Sequence, residues 1–472
     1  MFNKTIKKIK LDNYKILFLL ILSVGAFLRF YELSEIMTFI SDIGWFYISA
    51  RDLIINHEIP LVGIESSRPW LHQGAIWTYI LAIILWISNF NPVAPAYITA
   101  LIDIATLLIV FVFSFKLFGK NIGLISSLFY ATSPLIITSA QTPYHTSLIP
   151  FFTILLIVSV YKWIKGNALF FPICIFLLAL LYNLEIATFA LTIVVFLIFF
   201  YALFKKKNWI RRISKIKILF LSIFAFLIPM TPMLIYDINH GFPQTVKFIA
   251  WVFYRIAIFF GFPPVNPNVS GETWTSFFSF ISNNLERIYF MQSQLVAIPL
   301  LIIPILFLVY RSYKYKFENT KLNLIFLFIL IPALGYLTTK TNSSAYLPMF
   351  FPQLAIISGY FFGAIKGKYF YISLTFILFV VSASIYNFSK REFSDVLFEK
   401  RIGVSREIVN KAEGRNYNIL NTYWKEQPER FVKNYEYLTW WLGNGPSKDN
   451  EKLKYFITED FSKIKVEEKV TR

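Results

Sequence analysis

The sequence predicts an all-α polytopic membrane protein that carries a small external α/β domain at its C-terminal end. Of its 472 residues, 56% are hydrophobic and only 15% are charged, and the mean hydropathy is +0.57. Several apolar runs approach or exceed the roughly 18 to 20 residues that a helix needs to span hydrocarbon. Residues 390–472 are instead hydrophilic, with strand-like YNIL and KLKYFIT around the helix-like segment ERFVKNYEYLTWWLG.

The positive charge of the chain indicates membrane orientation and not nucleic-acid binding. Most of the formal charge of +19 lies in short clusters between apolar runs, where it is expected to face an anionic inner leaflet. The sequence has no P-loop, no Gly-rich phosphate fingerprint and no Cys/His metal spacing. A nucleotide-hydrolysing pump is therefore disfavoured, and the single cysteine, Cys174, forms no intrachain disulfide.

The alternation of basic loops predicts about eleven transmembrane spans with a cytoplasmic N-terminus and an external C-terminal domain. The positive-inside rule holds at every short cytoplasmic loop only if the short apolar run 75–88 does not cross the membrane. The predicted spans are about 14–33, 93–115, 121–138, 146–161, 168–184, 186–204, 218–235, 294–310, 322–338, 346–364 and 369–388. This gives a transmembrane domain at 1–389, with external loops at 34–92 and 236–293, and a soluble external domain at 390–472.

The first external loop contains the main candidate site. Asp42 follows the first span, and an acid held at a membrane boundary is costly enough to suggest function. The next residues have helical periodicity, which predicts a helix lying in the interface. Arg51, Arg68 and His72 complete a loop that offers a carboxylate, cations and an imidazole beside lipid. The alternatives are that Asp42 is a cap or an ion-pair partner of Arg51, and that both arginines only snorkel to lipid phosphates.

Other polar residues outside the first loop have structural explanations beside functional ones. His145 is a candidate for substrate contact, although a loop histidine more often serves in packing. Asp103 lies about ten residues into its span, too deep for chemistry at the membrane surface, so a structural hydrogen bond is expected. Asp237 and His240 have the spacing of an acid and an imidazole that act together, but a loop cap is the expected role of Asp237. Residues 236–293 are predicted to form interfacial helices with the potential to cover the site as a lid.

Several segments in order resemble the C-type (GT-C), polyprenyl-phosphate-sugar-dependent glycosyltransferases. They are the post-span Asp42, the helix ARDLI, GAIWTYILAIIL, and KLFGKNIGLISSLFYATSPLII followed by PYHTSLIPFF. The most similar branch is family 39, which includes the protein O-mannosyltransferases and the aminoarabinose transferases of lipid A. The likeness extends over about residues 14–240 and is looser beyond them.

This resemblance implies an enzyme that moves a sugar from a polyprenyl-phosphate donor to a lipid, glycan or protein acceptor on the external face, with Asp42 as general base. Many members have Asp-Glu at this position, whereas Ile43 follows Asp42 here. Some relatives carry an acid in the second external loop, which here reads QTPYHTS and offers His145 instead. Glu185 either replaces that acid or forms a hydrogen bond within the helix bundle. The resemblance leaves open whether a divalent metal takes part.

The chemistry of such a transfer sets its own requirements. The acceptor hydroxyl needs a base, which Asp42 would supply, and the departing phosphate needs positive charge. Arg51, Arg68 and Lys340 are the candidates for the second role, because a guanidinium grips phosphate through two hydrogen bonds. A lipid or polysaccharide transporter or flippase, and a non-catalytic envelope assembly protein, are the alternative functions. No internal repeat of the kind common in transporters is seen.

Overall fold

The computed structural model describes residues 13–66, 71–262, 273–289, 293–315, 319–340, 342–390, 396–422, 431–460 and 463–470. In chain order the helices are α1 (Asn13–Phe30), α2 (Leu33–Ile36), α3 (Ser41–Ile55), α4 (Ile76–Ile87), α5 (Ala94–Phe118), α6 (Lys120–Thr132), α7 (Pro134–Ala140), α8 (Ile149–Ile164), α9 (Phe170–Leu184), α10 (Phe189–Phe204), α11 (Asn208–Arg211), α12 (Ile216–His240), α13 (Pro243–Phe259), α14 (Trp274–Tyr289), α15 (Gln294–Lys314), α16 (Thr320–Thr339), α17 (Phe351–Gly363), α18 (Lys368–Ser389), α19 (Phe398–Ala412) and α20 (Lys433–Trp441). The strands are β1 (Val62–Glu65), β2 (His72–Gly74), β3 (Asn418–Asn421), β4 (Leu453–Asp460) and β5 (Lys463–Val470).

Each predicted span coincides with a helix or with a broken helix. Within the described ranges, nine helices are long and apolar enough to cross a membrane, and the pair α6 and α7, bent by 63°, makes a tenth. The break falls at Pro134, which lacks an N–H and disfavours helical backbone at Ser133. The remaining predicted span is α9, whose 15 residues extend only about 22 Å. The chain is a multi-pass membrane protein, and the count of eleven spans stays a prediction.

Helix α4 corresponds to the apolar run predicted not to cross. Its 12 residues extend about 18 Å, against roughly 30 Å of hydrocarbon. It packs against α3, and both helices contribute to the main hydrophobic core through side chains such as Phe46 and Trp77. This length supports the predicted topology, in which the whole segment 34–92 stays on one side of the membrane.

A buried ion pair joins helices α1, α5 and α6 of the bundle. Arg29 on α1 is fully buried, and its Nε lies 2.6 Å from Asp103 Oδ2 on α5. Its other N–H groups donate to backbone carbonyl oxygens, and the Tyr130 hydroxyl of α6 donates to Asp103 Oδ1 at 2.5 Å. Asp103 therefore has the structural hydrogen bonds that were expected from its position deep within the predicted span.

The C-terminal residues form the predicted small α/β unit. Its sheet has the order β3-β4-β5, with β3 parallel and β5 antiparallel to β4. Strand β3, strand β4 and helix α20 fall on the three segments that the sequence singled out, whereas α19 and β5 were not predicted. A separate core forms around Tyr417, Tyr435 and Tyr455. Helix α20 also packs on α3, which joins this unit to the first external loop.

Candidate active site

A cavity of about 960 Å³ lies where the first external loop meets the helix bundle and the C-terminal unit. Four of the predicted site residues line it together: Asp42, His72, His145 and Glu185. Its aromatic lining consists of Trp45, Tyr144, Tyr236, Trp251, Tyr346 and Phe431. The remaining described lining residues include Glu65, Gln73, Ser343 and Lys433. A concave space that combines aromatic walls with polar and charged side chains is typical of ligand sites.

Asp42 lies in the first turn of α3 and lines the cavity. A helix N-terminus favours a negative side chain, because the unpaired N–H groups there carry partial positive charge. The Tyr144 hydroxyl donates to Asp42 Oδ2 at 3.4 Å. Burial and the negative charges of Asp42 and Glu185 raise the pKa of Tyr144 well above its usual value. The phenol therefore stays protonated and available as a donor to the carboxylate.

His145 and Glu185 form the buried polar end of the cavity. His145 is only 3% exposed, and its Nε2 lies 3.6 Å from Glu185 Oε2, which is too far for a hydrogen bond. Within the described part of the chain, neither imidazole nitrogen has a hydrogen-bond partner. The Glu185 carboxylate accepts from Gln73 Nε2 at 3.1 Å and from the backbone N–H of Ala187 at 3.2 Å. Buried polar atoms without partners are rare, so His145 is suited to contact a ligand.

The short hairpin of β1 and β2 places His72 and Gln73 on the cavity wall. The backbone N–H of His72 donates to Gln244 Oε1 at 2.9 Å, and Gln73 Oε1 accepts from the N–H of Ile186 at 3.1 Å. A Cβ atom added to Gly74 would lie 1.8 Å from Asn183 Oδ1, so only glycine fits there. The hairpin is therefore held on the end of α9 and the start of α13.

Asp237 supports this arrangement from the end of α12. Its carboxylate accepts from the backbone N–H groups of Gln244 and Thr245, at 2.7 and 3.0 Å, and from the Thr245 hydroxyl at 2.6 Å. These bonds cap the start of α13 and hold Gln244 against the hairpin. The predicted capping role of Asp237 is confirmed.

The C-terminal unit closes one side of the cavity through the start of α20. The backbone N–H of Lys433 donates to Ser41 Oγ at 3.2 Å, and Asn434 Nδ2 donates to the Phe39 carbonyl oxygen at 3.0 Å. A Cβ added to Gly44 would lie 2.2 Å from the Asn434 backbone nitrogen, so α20 rests directly on the α3 backbone. Lys433 Nζ pairs with Glu436 at 2.8 Å. Of the described lining residues, Lys433 is the only lysine or arginine.

Two of the predicted cations, Arg51 and Lys340, are not among the described residues that line the cavity. Arg51 pairs with the neighbouring Asp52 at 2.7 Å and lies 5.0 Å from the Trp440 ring. The alternative in which Arg51 is the ion-pair partner of Asp42 is not seen among the described contacts. Lys340 ends α16 with its Nζ 4.2 Å above the Trp274 ring. Arg68 lies outside the described residues.

Two residues of this site were missed by reasoning from the sequence. Tyr144 precedes His145 in the motif PYHTS, and its proximity to a candidate residue was the available signal. Lys433 had no signal, since it reaches Ser41 from 392 positions along the chain. Among the described side chains, no three His, Cys, Asp or Glu residues form a group that could hold a metal ion.

No protein-family model and no curated protein sequence matches the chain. Solved structures do match. The archaeal oligosaccharyltransferase AglB from Archaeoglobus fulgidus, in complex with an inhibitory peptide and a dolichol-phosphate, has a TM-score of 0.54 and 12% identity over 92% of this chain. ArnT from Cupriavidus metallidurans, bound to undecaprenyl phosphate, has a TM-score of 0.52 and 10% identity over 91% of this chain and 74% of its own. The chain spans 64% of the length of AglB. It therefore has the fold of the C-type (GT-C) glycosyltransferases, the fold that the sequence resemblance implied.

Proposed function

We propose that the protein is a membrane glycosyltransferase that moves a sugar from a polyprenyl-phosphate donor to an acceptor hydroxyl on the external face of the membrane. The observation that carries the proposal is the single cavity in which Asp42, His145 and Glu185 meet beneath the first external loop. The fold adds support, because two enzymes that share it were solved with dolichol-phosphate and with undecaprenyl phosphate. The acceptor would be a lipid, a glycan or a protein.

In the proposed reaction, Asp42 is the general base. The acceptor hydroxyl loses its proton to the Asp42 carboxylate as its oxygen attacks the anomeric carbon of the sugar. The bond between that carbon and the phosphate oxygen breaks, and polyprenyl phosphate leaves with the bonding electrons. Tyr144 orients the carboxylate through its hydroxyl. Asp42 suits this task because it lines the cavity and, among the described residues, accepts one side-chain hydrogen bond, at 3.4 Å.

The leaving phosphate requires positive charge near the cavity. Arg68 remains the proposed phosphate contact from the first loop, and Lys433 of the C-terminal unit joins it as a candidate. Arg51 and Lys340 stay as proposals of lower rank, since neither is among the described residues that line the cavity. A charge-assisted contact with either residue would stabilise the phosphate as its negative charge grows.

His72, His145 and Glu185 are proposed to contact the donor sugar. Glu185 accepts hydrogen bonds, and the unpartnered imidazole of His145 offers one donor and one acceptor when neutral. Hydroxyl groups of a sugar need this mixture of donors and acceptors. The aromatic walls, including Trp45 and Trp251, supply flat apolar surface for the sugar ring or the prenyl chain.

Sugar transfer itself is the direct test of the proposal. Purified protein would be incubated with labelled polyprenyl-phosphate sugars in membranes of mixed envelope lipid, and the lipid and acceptor fractions would be analysed for label. Label should move from the polyprenyl phosphate to an acceptor, with release of free polyprenyl phosphate. Movement of intact labelled donor between leaflets, with no change in its chemistry, would instead identify a flippase.

A further inference from the structure

A second groove, of about 560 Å³, lies at the ends of α9 and α12 that are farthest from the candidate active site. We call it the basic groove. Its described lining consists of Lys165, Gly166, Asn167, Ala168, Leu169, Arg212, Lys215 and Ile218. Three of these side chains are cationic and none is acidic. The segment 205–217, KKKNWIRRISKIK, also contains no acid, so no carboxylate from this segment neutralises the groove.

The charged wall of the basic groove is fixed to the helix bundle. The Trp209 ring packs edge-on against Trp163 at 4.9 Å, and the side chains of Ile210 and Ile213 are buried. A basic segment that served only to orient the chain would need charge but no such packing. The packing instead gives the cations of this segment defined positions.

Arg212 is held in place by a backbone contact across the groove. Its Nη1 donates to the Gly166 carbonyl oxygen at 2.8 Å. Gly166 has a φ of +97°, which favours glycine, and a Cβ added there would lie 3.2 Å from that same nitrogen. A guanidinium has five N–H donors, so the bond to Gly166 leaves others for a ligand. Lys165 and Lys215 add positive charge on the two walls.

Apolar side chains border the cations on the side expected to face lipid. Leu169, in the groove wall, is 54% exposed, and Ile216, beside Lys215, is 77% exposed. A cationic recess next to exposed apolar surface matches the two parts of a phospholipid, its phosphate and its acyl chains. A free anion would need only the cationic recess and not the exposed apolar surface.

We infer that the basic groove binds an anionic phospholipid of the leaflet opposite the candidate active site. Arg212, Lys165 and Lys215 contact the headgroup phosphate, and the acyl chains lie along Leu169 and Ile216. The three uncompensated charges favour a headgroup with net negative charge, such as phosphatidylglycerol, over a zwitterionic one. This would give the bundle a specific lipid contact at its cytoplasmic face in the predicted topology.

Titration of the purified, detergent-solubilised protein with lipid, followed by native mass spectrometry, tests this inference. Phosphatidylglycerol should bind saturably and roughly tenfold or more tightly than phosphatidylcholine or inorganic phosphate. The double variant Arg212→Gln/Lys215→Gln should weaken phosphatidylglycerol binding by about tenfold or more. The matched control Arg211→Gln/Lys217→Gln removes the same charge from exposed side chains that do not line the groove, and it should bind as the unmodified protein does.

Three results would overturn the inference. An equal loss of phosphatidylglycerol affinity in the groove variant and in its control would mean that net charge alone attracts the lipid. Equal affinity for phosphatidylcholine would remove the anionic selectivity, and equally tight inorganic phosphate would identify a free-anion site. If the double variant does not fold, Lys165→Gln on the other wall gives the same readout. Its affinity for phosphatidylglycerol should fall about threefold to tenfold. Unchanged affinity in Lys165→Gln would also contradict lipid binding in the basic groove.

Discussion

Tyr144 is the side chain that connects Asp42 with the buried end of the cavity. Replacing Tyr144 with Phe removes the only described side-chain donor to Asp42 and leaves the aromatic packing on Phe46 and His145. We expect turnover of the sugar donor to fall about threefold to tenfold, the scale of a long hydrogen bond to a charged group. Steady-state transfer rates of Tyr144→Phe against Tyr201→Phe, a lipid-exposed control on α10, measure this. Equal rates in the two variants would remove Tyr144 from the mechanism.

The buried pair of Arg29 and Asp103 contributes to stability and not to the site. Asp103→Asn leaves the Arg29 guanidinium buried without its counter-charge, which typically costs about 3 to 5 kcal/mol. We expect a lower midpoint of thermal unfolding in detergent. The double variant Arg29→Met/Asp103→Leu removes both charges and should recover part of the loss. An unfolding midpoint for Asp103→Asn equal to that of the unmodified protein would contradict this role.

At the scale of single elements, α20 of the C-terminal unit packs on α3, the helix that carries the proposed base Asp42. The Cβ of Gly44→Ala would collide with the backbone of Asn434, which no side-chain rotation relieves. Helix α20 must then shift, and Lys433 with it, while α3 keeps its own hydrogen bonds. We expect the variant to insert normally but to lose at least about tenfold in transfer rate, because small displacements in an active site are costly.

Gly403 on α19 provides the matched control for this change. It is exposed, and a Cβ added there meets nothing within 4 Å. Gly403→Ala should therefore transfer sugar as well as the unmodified protein and be slightly more stable. Unchanged turnover in Gly44→Ala, with α20 still protected from proteolysis as in Gly403→Ala, would show that docking of the C-terminal unit is not needed.

Some elements could be predicted from the sequence because their signals are local. Hydropathy predicted spans such as α5 and α12, and helical periodicity predicted that α3 is a helix. The polar residues Asp42, His72, His145 and Glu185 were predicted one by one, since each is unusual beside lipid. Their convergence on one cavity depends on the packing of distant helices, which no local pattern contains.

Other features could not be predicted because they too depend on contacts that no local sequence pattern contains. Strand β5 is highly charged, and it is a strand only because β4 pairs with it along its whole length. Arg51 was proposed to contact the phosphate or, alternatively, Asp42. It instead forms an ion pair with Asp52 and lies over the Trp440 ring of the C-terminal unit. Lys433 lies at the site because its backbone N–H donates to Ser41, which is 392 positions away along the chain.

At the scale of the whole molecule, the topology determines which face of the membrane the cavity opens on. The charge pattern predicts that α4 stays on the external side, so that Asn91 is external and Lys120 is cytoplasmic. Cysteines placed at these two positions in a Cys174→Ser background are to be treated with an impermeant thiol reagent applied from outside. Asn91→Cys should react and Lys120→Cys should not. Labelling of Lys120→Cys without labelling of Asn91→Cys would invert the proposed orientation.

Asp42 is proposed to remove the proton from the acceptor hydroxyl. The most direct measurement is the rate of labelled sugar transfer by Asp42→Asn, compared with Asp52→Asn from the same helix, which lies outside the active-site cavity wall. Loss of a positioned general base typically costs about 10² to 10⁴ in rate, so Asp42→Asn should fall by that factor while remaining folded and inserted. Asp52→Asn should stay close to the unmodified rate. Near-normal transfer by a well-expressed Asp42→Asn variant would contradict the proposed mechanism.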